Sequence, residues 1–156
     1  MPKLNKNKKE VIVAVSGGMD PLHIGHVRLF QTARKMGDKL VVILNNDNWL
    51  LAKKGYVFMP EKERKEILES LMDVDKVILT KHSQNPQDMS VCQELLKIKP
   101  QIFANGGDRC PKNIPAPEIK TCQAINCQMV YNIGRGGKVQ SSSQLSQNVL
   151  RFLKNK

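Results

Sequence analysis

The chain has 156 residues, 40% of them hydrophobic, and a formal net charge of +11. That length suits one domain with a core of its own, without cross-links or a metal staple. No run approaches the length of a bilayer helix, and no apolar segment with a cleavage site follows the first lysines, so a cytoplasmic protein with no membrane contact is expected. One Trp, two Tyr and four Phe give few platforms for stacking bases. This speaks against single-stranded nucleic acid and leaves small polyanions such as nucleotides as partners for the positive charge.

Residues 1–9 hold Lys3, Lys6, Lys8 and Lys9 among asparagines and read as a basic flexible tail, with the domain running over 10–156. Val11–Val15 is a continuous apolar run, the pattern of a strand covered on both faces. A helix is expected from about His23 to Met36, with Val27, Phe30 and Ala33 on one side and Gly37 as its stop. Leu40–Leu44 is the second strand, ending at Asn45-Asn46-Asp47-Asn48. A loop through Lys53-Lys54-Gly55 then leads to Pro60, suited to the first turn of the next helix.

Val77–Leu79 is the third strand, followed by a helix over about Asp88–Lys97 and a fourth strand over Gln101–Ala104. Beyond a proline-rich loop, a helix near Glu118–Ile125 and a strand near Met129–Ile133 are expected. The last helix aligns Leu145, Val149, Phe152 and Leu153 on one stripe. Strands alternating with helices argue for a parallel sheet with helices on both faces, and in such sheets ligands bind at the strands' carboxyl ends. Cys92, Cys110, Cys122 and Cys127 contain no C-x-x-C pair and read as reduced thiols.

Four clusters each follow an expected strand. The first is Ser16-Gly17-Gly18-Met19-Asp20-Pro21-Leu22-His23-Ile24-Gly25-His26. Its glycines let backbone amides approach a phosphate, with the positive end of the following helix aimed there. His23 and His26, three apart, fall on one side of the first helical turn, where imidazoles can stabilise a transferring phosphoryl group. The second is Lys53-Lys54-Gly55 with Arg64, on one reading solvated charges; Arg64 opposes its helix dipole, which a ligand anion would compensate. The third, Asn105-Gly106-Gly107-Asp108-Arg109, offers Asp108 to a ribose hydroxyl or a metal-bound water, or else is a tight turn with Asp as a local cap. The fourth, Gly134-Arg135-Gly136-Gly137-Lys138-Val139-Gln140-Ser141-Ser142-Ser143, sets serines and free amides at a helix start, an anion site or ordinary capping.

His23-Ile24-Gly25-His26 resembles the H-x-G-H signature of the cytidylyltransferase-like nucleotidyltransferases, and the similarity runs from about Val11 to Leu150. The resemblance implies a Rossmann-like three-layer sandwich whose five-stranded parallel sheet has the order 3-2-1-4-5. It implies transfer of a nucleoside monophosphate from CTP or ATP to a phosphorylated alcohol or sugar, with Mg²⁺ accompanying the triphosphate and pyrophosphate leaving. Catalytic roles fall on His23, His26, Lys54 (or Lys53) and Arg64. Nucleotide contacts fall on Gly17, Gly18, Met19, Asp20, Gly25, Gly107, Asp108, Arg135, Val139, Ser141 and Ser142. Gly18-Met19 departs from the family's Thr-Phe, so a hydroxyl is missing there. Gln144 and Gln147 stand where a basic residue is common, which leaves Lys138 to supply charge.

Gly106-Gly107-Asp108 resembles the heptose-phosphate adenylyltransferases, while the small cytidylyltransferases favour CTP; the base stays open, as does a homodimer. The literal His-Ile-Gly-His also marks class I aminoacyl-tRNA synthetases, whose further domains and downstream Lys-rich signature are not expected in this chain. A nicotinate- or pantetheine-type adenylyltransferase and a non-catalytic nucleotide or RNA binder remain alternatives.

Overall fold

Short runs dominated by Val, Ile and Leu become strands. The computed structural model describes residues 8–107, 109–134, 136 and 139–156. Residues 1–7 of the expected tail lie outside these, as do Asp108, Arg135 and Lys138 from the third and fourth clusters. The strands are β1 (Ile12–Gly17), β2 (Lys39–Leu44), β3 (Lys76–Leu79), β4 (Ile102–Gly106) and β5 (Gln128–Ile133). They form one parallel sheet in the order β3-β2-β1-β4-β5, as the resemblance implies. In β1 and β2 the register pairs Val13 with Leu40 and Val15 with Val42.

Alternation along β1 divides the core. Val13 and Val15 join Leu40, Val42 and Leu44 beneath α1 (Ile24–Arg34) and α3 (Glu61–Glu69), which bring Phe30, Ala33 and Leu68. Ala14 points the other way, joining Ile43 and Phe103 beneath α4 (Cys92–Ile98) and α5 (Ala116–Ala124), which bring Leu95 and Cys122. Successive strand side chains face opposite sides, so a central strand must be apolar throughout to be covered twice. Each fully buried Leu or Phe in these layers contributes roughly 1.5–3 kcal/mol.

Three elements differ from expectation. Asp47–Lys54, expected as the end of a strand and a loop, is a helix, α2. The Asn46 side chain accepts from the Trp49 amide at 3.0 Å, and Gly55 ends the helix in the left-handed region at φ 81°. α4 begins at Cys92 rather than near Asp88. Before it, Asp88 Oδ1 accepts from the Ser90 amide, and the Val91 amide donates to Glu118 Oε1 on α5 instead of entering a helix. α6 (Ser142–Lys154) carries the expected apolar stripe, yet it has no buried residue, and Phe152 and Leu153 are 60% and 59% exposed.

All five strands run the same way, so their carboxyl ends share one edge. The chain visits β2 and β3 on one side of β1, then β4 and β5 on the other. The point where strand order reverses therefore lies between the ends of β1 and β4, the place where open α/β sheets hold ligands.

Candidate active site

A cleft of about 440 Å³ opens at this point. β1 and its turn supply Gly17, Gly18, Met19 and Asp20, and α1 supplies His23, Gly25 and His26. Lys53 and Lys54 enter from α2, Gly107 from the end of β4, and Val139, Ser141 and Ser142 from the approach to α6. Residues more than a hundred positions apart in the chain thus line one cavity. Of the residues singled out in the sequence, Arg64 is not among the lining, and Asp108 and Arg135 lie outside the described residues.

The histidines are held by their own helix. His23 is the N-cap of α1, and its Nδ1 accepts from the Gly25 amide at 3.1 Å. His26 Nδ1 reaches back to accept from the His23 amide at 3.2 Å. The rings stack with centroids 3.8 Å apart and planes inclined by 30°. A ring nitrogen that accepts an amide proton carries none itself, so each imidazole bears its single proton on Nε2. Burial lowers both pKa values; burial first, and then the neighbouring His23, pushes His26 down to about 3. Both rings are therefore neutral Nε2–H donors at neutral pH. The positive end of α1 acts through these imidazoles at the His23 and Gly25 positions, since those two amides are already engaged. An amide donating to Nδ1 polarises the ring and strengthens the Nε2–H as a donor.

Two of the glycines permit close packing around the turn. A Cβ at Gly18 would stand 2.8 Å from Leu50 and 3.5 Å from the Trp49 ring, so Gly18 lets α2 settle against β1. A Cβ at Gly25 would meet the His23 ring at 2.9–3.0 Å. Met19 adopts φ 50° and sends its side chain into the core at 3% exposure, leaving its backbone to face the cleft.

Asp20 and Arg64 form the frame. The Asp20 carboxylate, buried, accepts from the Met59 amide at 2.7 Å and the Phe58 amide at 2.8 Å. Lys54 Nζ donates to the Asp20 carbonyl at 2.7 Å and lies 3.2 Å from its carboxylate, over the Tyr56 ring. Arg64, expected to meet a substrate phosphate, is 2% exposed and is spent on the protein itself. Its guanidinium donates to the carbonyls of Met59, Gly18 and Asn45 at 2.6–2.8 Å and pairs with Asp47 at 2.7 Å. The anion beside Arg64 is Asp47, and three neutral carbonyls take its other N–H groups. Lys53, by contrast, lines the cleft with no ion pair among the described residues.

At the other rim, Ser141 caps α6 by accepting from the Gln144 amide at 3.0 Å, and the Ser142 hydroxyl donates to the Pro21 carbonyl at 2.8 Å. That second bond fastens the start of α6 to the β1–α1 turn. Sequence reading missed Arg28 and Trp49, which also line the cleft. Trp49 is fixed by its indole N–H donating to the Met89 carbonyl at 2.9 Å. Its place on the cleft follows from the α2 caps, the signal that would have found it. Among the described lining residues Arg28, Lys53, Lys54 and Arg109 face a single carboxylate, Asp20, which is already neutralised. The cavity is built for an anion.

Residues 14–126 match a family model described as cytidylyltransferase-like. The bifunctional protein HldE of Syntrophotalea carbinolica is 31% identical over 120 residues, which cover 75% of this chain and 23% of that protein. FAD synthase of Pyrococcus abyssi is 31% identical over 102 residues, 65% of this chain and 66% of that one. The chain thus spans under a quarter of the bifunctional relative's length and about two thirds of the synthase's. Among solved structures, the lipopolysaccharide core biosynthesis protein of Thermoplasma volcanium GSS1 superposes with a TM-score of 0.66 at 25% identity, covering 81% of this chain and 98% of that one. No helix among the described residues is long and apolar enough to cross a membrane.

Proposed function

The chain belongs to the cytidylyltransferase-like family, and on that premise we propose that it transfers a nucleoside monophosphate from a triphosphate to a phosphorylated small molecule. An oxygen of the acceptor phosphate attacks the α-phosphorus in line. The new O–P bond forms as the bond from the α-phosphorus to the bridging oxygen breaks, and pyrophosphate departs with that electron pair. The acceptor oxygen is already anionic at neutral pH, so the reaction needs no general base. The protein's contribution is positioning and charge stabilisation. This agrees with a cleft that holds imidazoles, lysines and serines and lacks a free carboxylate among its described residues.

The observation that carries the reading is the pair of stacked, neutral imidazoles whose Nδ1 atoms are fixed by backbone amides. Both present a preset Nε2–H donor to the phosphates without reorganising. Lys53, and Lys54 to the extent that Asp20 releases it, attract the acceptor phosphate from α2. The first amides of α6, which have no intrahelical acceptor, serve the far end of the triphosphate. Mg²⁺ enters as part of the substrate. Asp20 is already engaged, and no group of three His, Cys, Asp or Glu side chains among the described residues could hold a resident ion. The fit is to an ion carried on phosphate oxygens, which needs few protein ligands. The relatives whose name states synthesis of FAD, an adenine dinucleotide, favour ATP as donor; the acceptor is a phosphate monoester of an alcohol or sugar.

The test is pyrophosphate release from ATP or CTP across a panel of phosphorylated sugars and alcohols, with wild-type protein and two variants. His26→Asn keeps an acceptor for the His23 amide and removes the ring's outward donor. It is expected to lower kcat by about 10²–10³-fold, the usual cost of one transition-state donor. His26→Gln, which restores an N–H near the Nε2 position, should recover part of the rate. Triphosphate binding by the wild-type protein with no pyrophosphate released from any pair would overturn the reading in favour of a nucleotide binder.

A further inference from the structure

Among the described residues, Arg28 is a cation of this cleft with a side-chain nitrogen that is both buried and without an acceptor. It lies on α1, three residues after Gly25 and so on the same side of the helix. Its neighbour Leu29 packs against Gly106 and Gly134, the ends of β4 and β5. A guanidinium nitrogen of Arg28 stands 3.4 Å from where a side chain on Gly136 would begin, so the absence of one there leaves it room. Three other buried or half-buried cations are committed to carboxylates: Arg64 to Asp47, Lys54 to Asp20, Arg34 to Asp75. Arg28 makes no side-chain hydrogen bond and no ion pair among the described residues, and its Nε is shut off from solvent with no acceptor. A buried donor left unmade is costly, and in a native protein it requires an explanation.

Building on the nucleotidyltransferase reading, we propose that Arg28 is a nucleotide-binding residue whose guanidinium grips a pair of adjacent acceptor atoms on the bound triphosphate nucleotide. The guanidinium is a fork of parallel N–H groups and wants two acceptors side by side. A nucleotide presents such a pair in two places. One is the non-bridging oxygens of a phosphate. The other is a base edge such as O2 with N3 of cytosine, whereas both the Watson–Crick and Hoogsteen edges of adenine set a donor beside the acceptor. Arg28 sits two residues beyond His26 on α1, beside Gly134 and Gly136 at the end of β5.

The experiment compares wild type with Arg28→Lys and Arg28→Gln in the full chain. Nucleotide dissociation constants for ATP and CTP are read from the fluorescence of Trp49, the chain's single tryptophan, which lines the same cleft. Melting temperature without nucleotide is read alongside. Arg28→Gln is expected to weaken nucleotide binding by about 10- to 100-fold, the range for a charge-assisted bond. The melting temperature of the empty protein should hold or rise, because no protein partner is lost. Equal losses for ATP and CTP assign the grip to phosphate, and a loss confined to CTP assigns it to the base edge. Unchanged affinities, or a fall in the empty protein's melting temperature that Arg28→Lys restores without any change in affinity, would overturn the proposal alone. Failure of the wild-type protein to bind either nucleotide would remove the reading beneath it as well.

Discussion

Protonation of His26 gives a test that needs no substrate. In the folded protein its pKa lies near 3, against 6.5 for an ordinary imidazole. At pH 7 the ring is neutral in both folded and unfolded chains, so it adds little to the pH dependence of stability. As the pH falls below 6.5 the unfolded chain takes up a proton that the folded chain refuses, and the balance moves toward unfolding. Folded stability attributable to this group therefore declines steadily down to about pH 3 and is fully present above 6.5. Between pH 7 and pH 5 the decline amounts to roughly 2 kcal/mol at 1.36 kcal/mol per unit. For a chain of this length that is a fall in melting temperature of about 4–8 °C. His23, also lowered by burial, adds in the same direction, so the comparison must isolate His26. His26→Asn preserves the bond from the His23 amide and cannot titrate. Thermal or urea unfolding of both proteins at pH 7, 6 and 5 should show the wild type losing about 2 kcal/mol more than the variant. Parallel losses in the two proteins would refute the claim that the ring is held neutral by its buried setting.

Arg64→Ala should cost about 3–5 kcal/mol by leaving Asp47 and three carbonyls without their donor, a drop of roughly 6–20 °C in melting temperature. A variant that loses activity while melting like the wild type would return Arg64 to the role of substrate contact. Gly25→Ala should displace the His23 ring, which a Cβ would approach at 2.9 Å, and lower kcat by at least about tenfold while the melting temperature moves by only a few degrees. An unchanged rate would show that the ring's position is not what the reaction uses.

The sheet could be read in the sequence because central parallel strands must be apolar on both faces, and Val11–Val15 and Leu40–Leu44 leave no other interpretation. The histidine turn could be read because its spacing is local. α2 carried its own signals in Asn46 and Gly55, but the polar run Asn45–Asn48 hid them. Arg64 shows where sequence reasoning ends. An arginine in the first turns of a helix needs an anion, and nothing local tells whether that anion is a ligand or Asp47, seventeen residues earlier. Arg28 is the converse case. It resembles any charge on a helix until Gly134 and Gly136, more than a hundred residues later, are seen to pack beside it. The stripe on α6 was legible as a pattern, whereas what it meets is not written in the pattern.

The ties made by Asp20 and Arg64 have a consequence for how such a cleft can diversify. Asp20 clasps the stretch that ends at Met59, and Arg64 clasps Gly18, so each rim of the cavity is bolted to the other by a residue from the opposite side. A change in residues 55–59 that slackened either clasp would loosen the turn leading into the histidines. Variation in this stretch is thereby channelled into side chains such as Tyr56 and Phe58, whose exposed rings can be exchanged while the backbone amides of Phe58 and Met59 keep their hold.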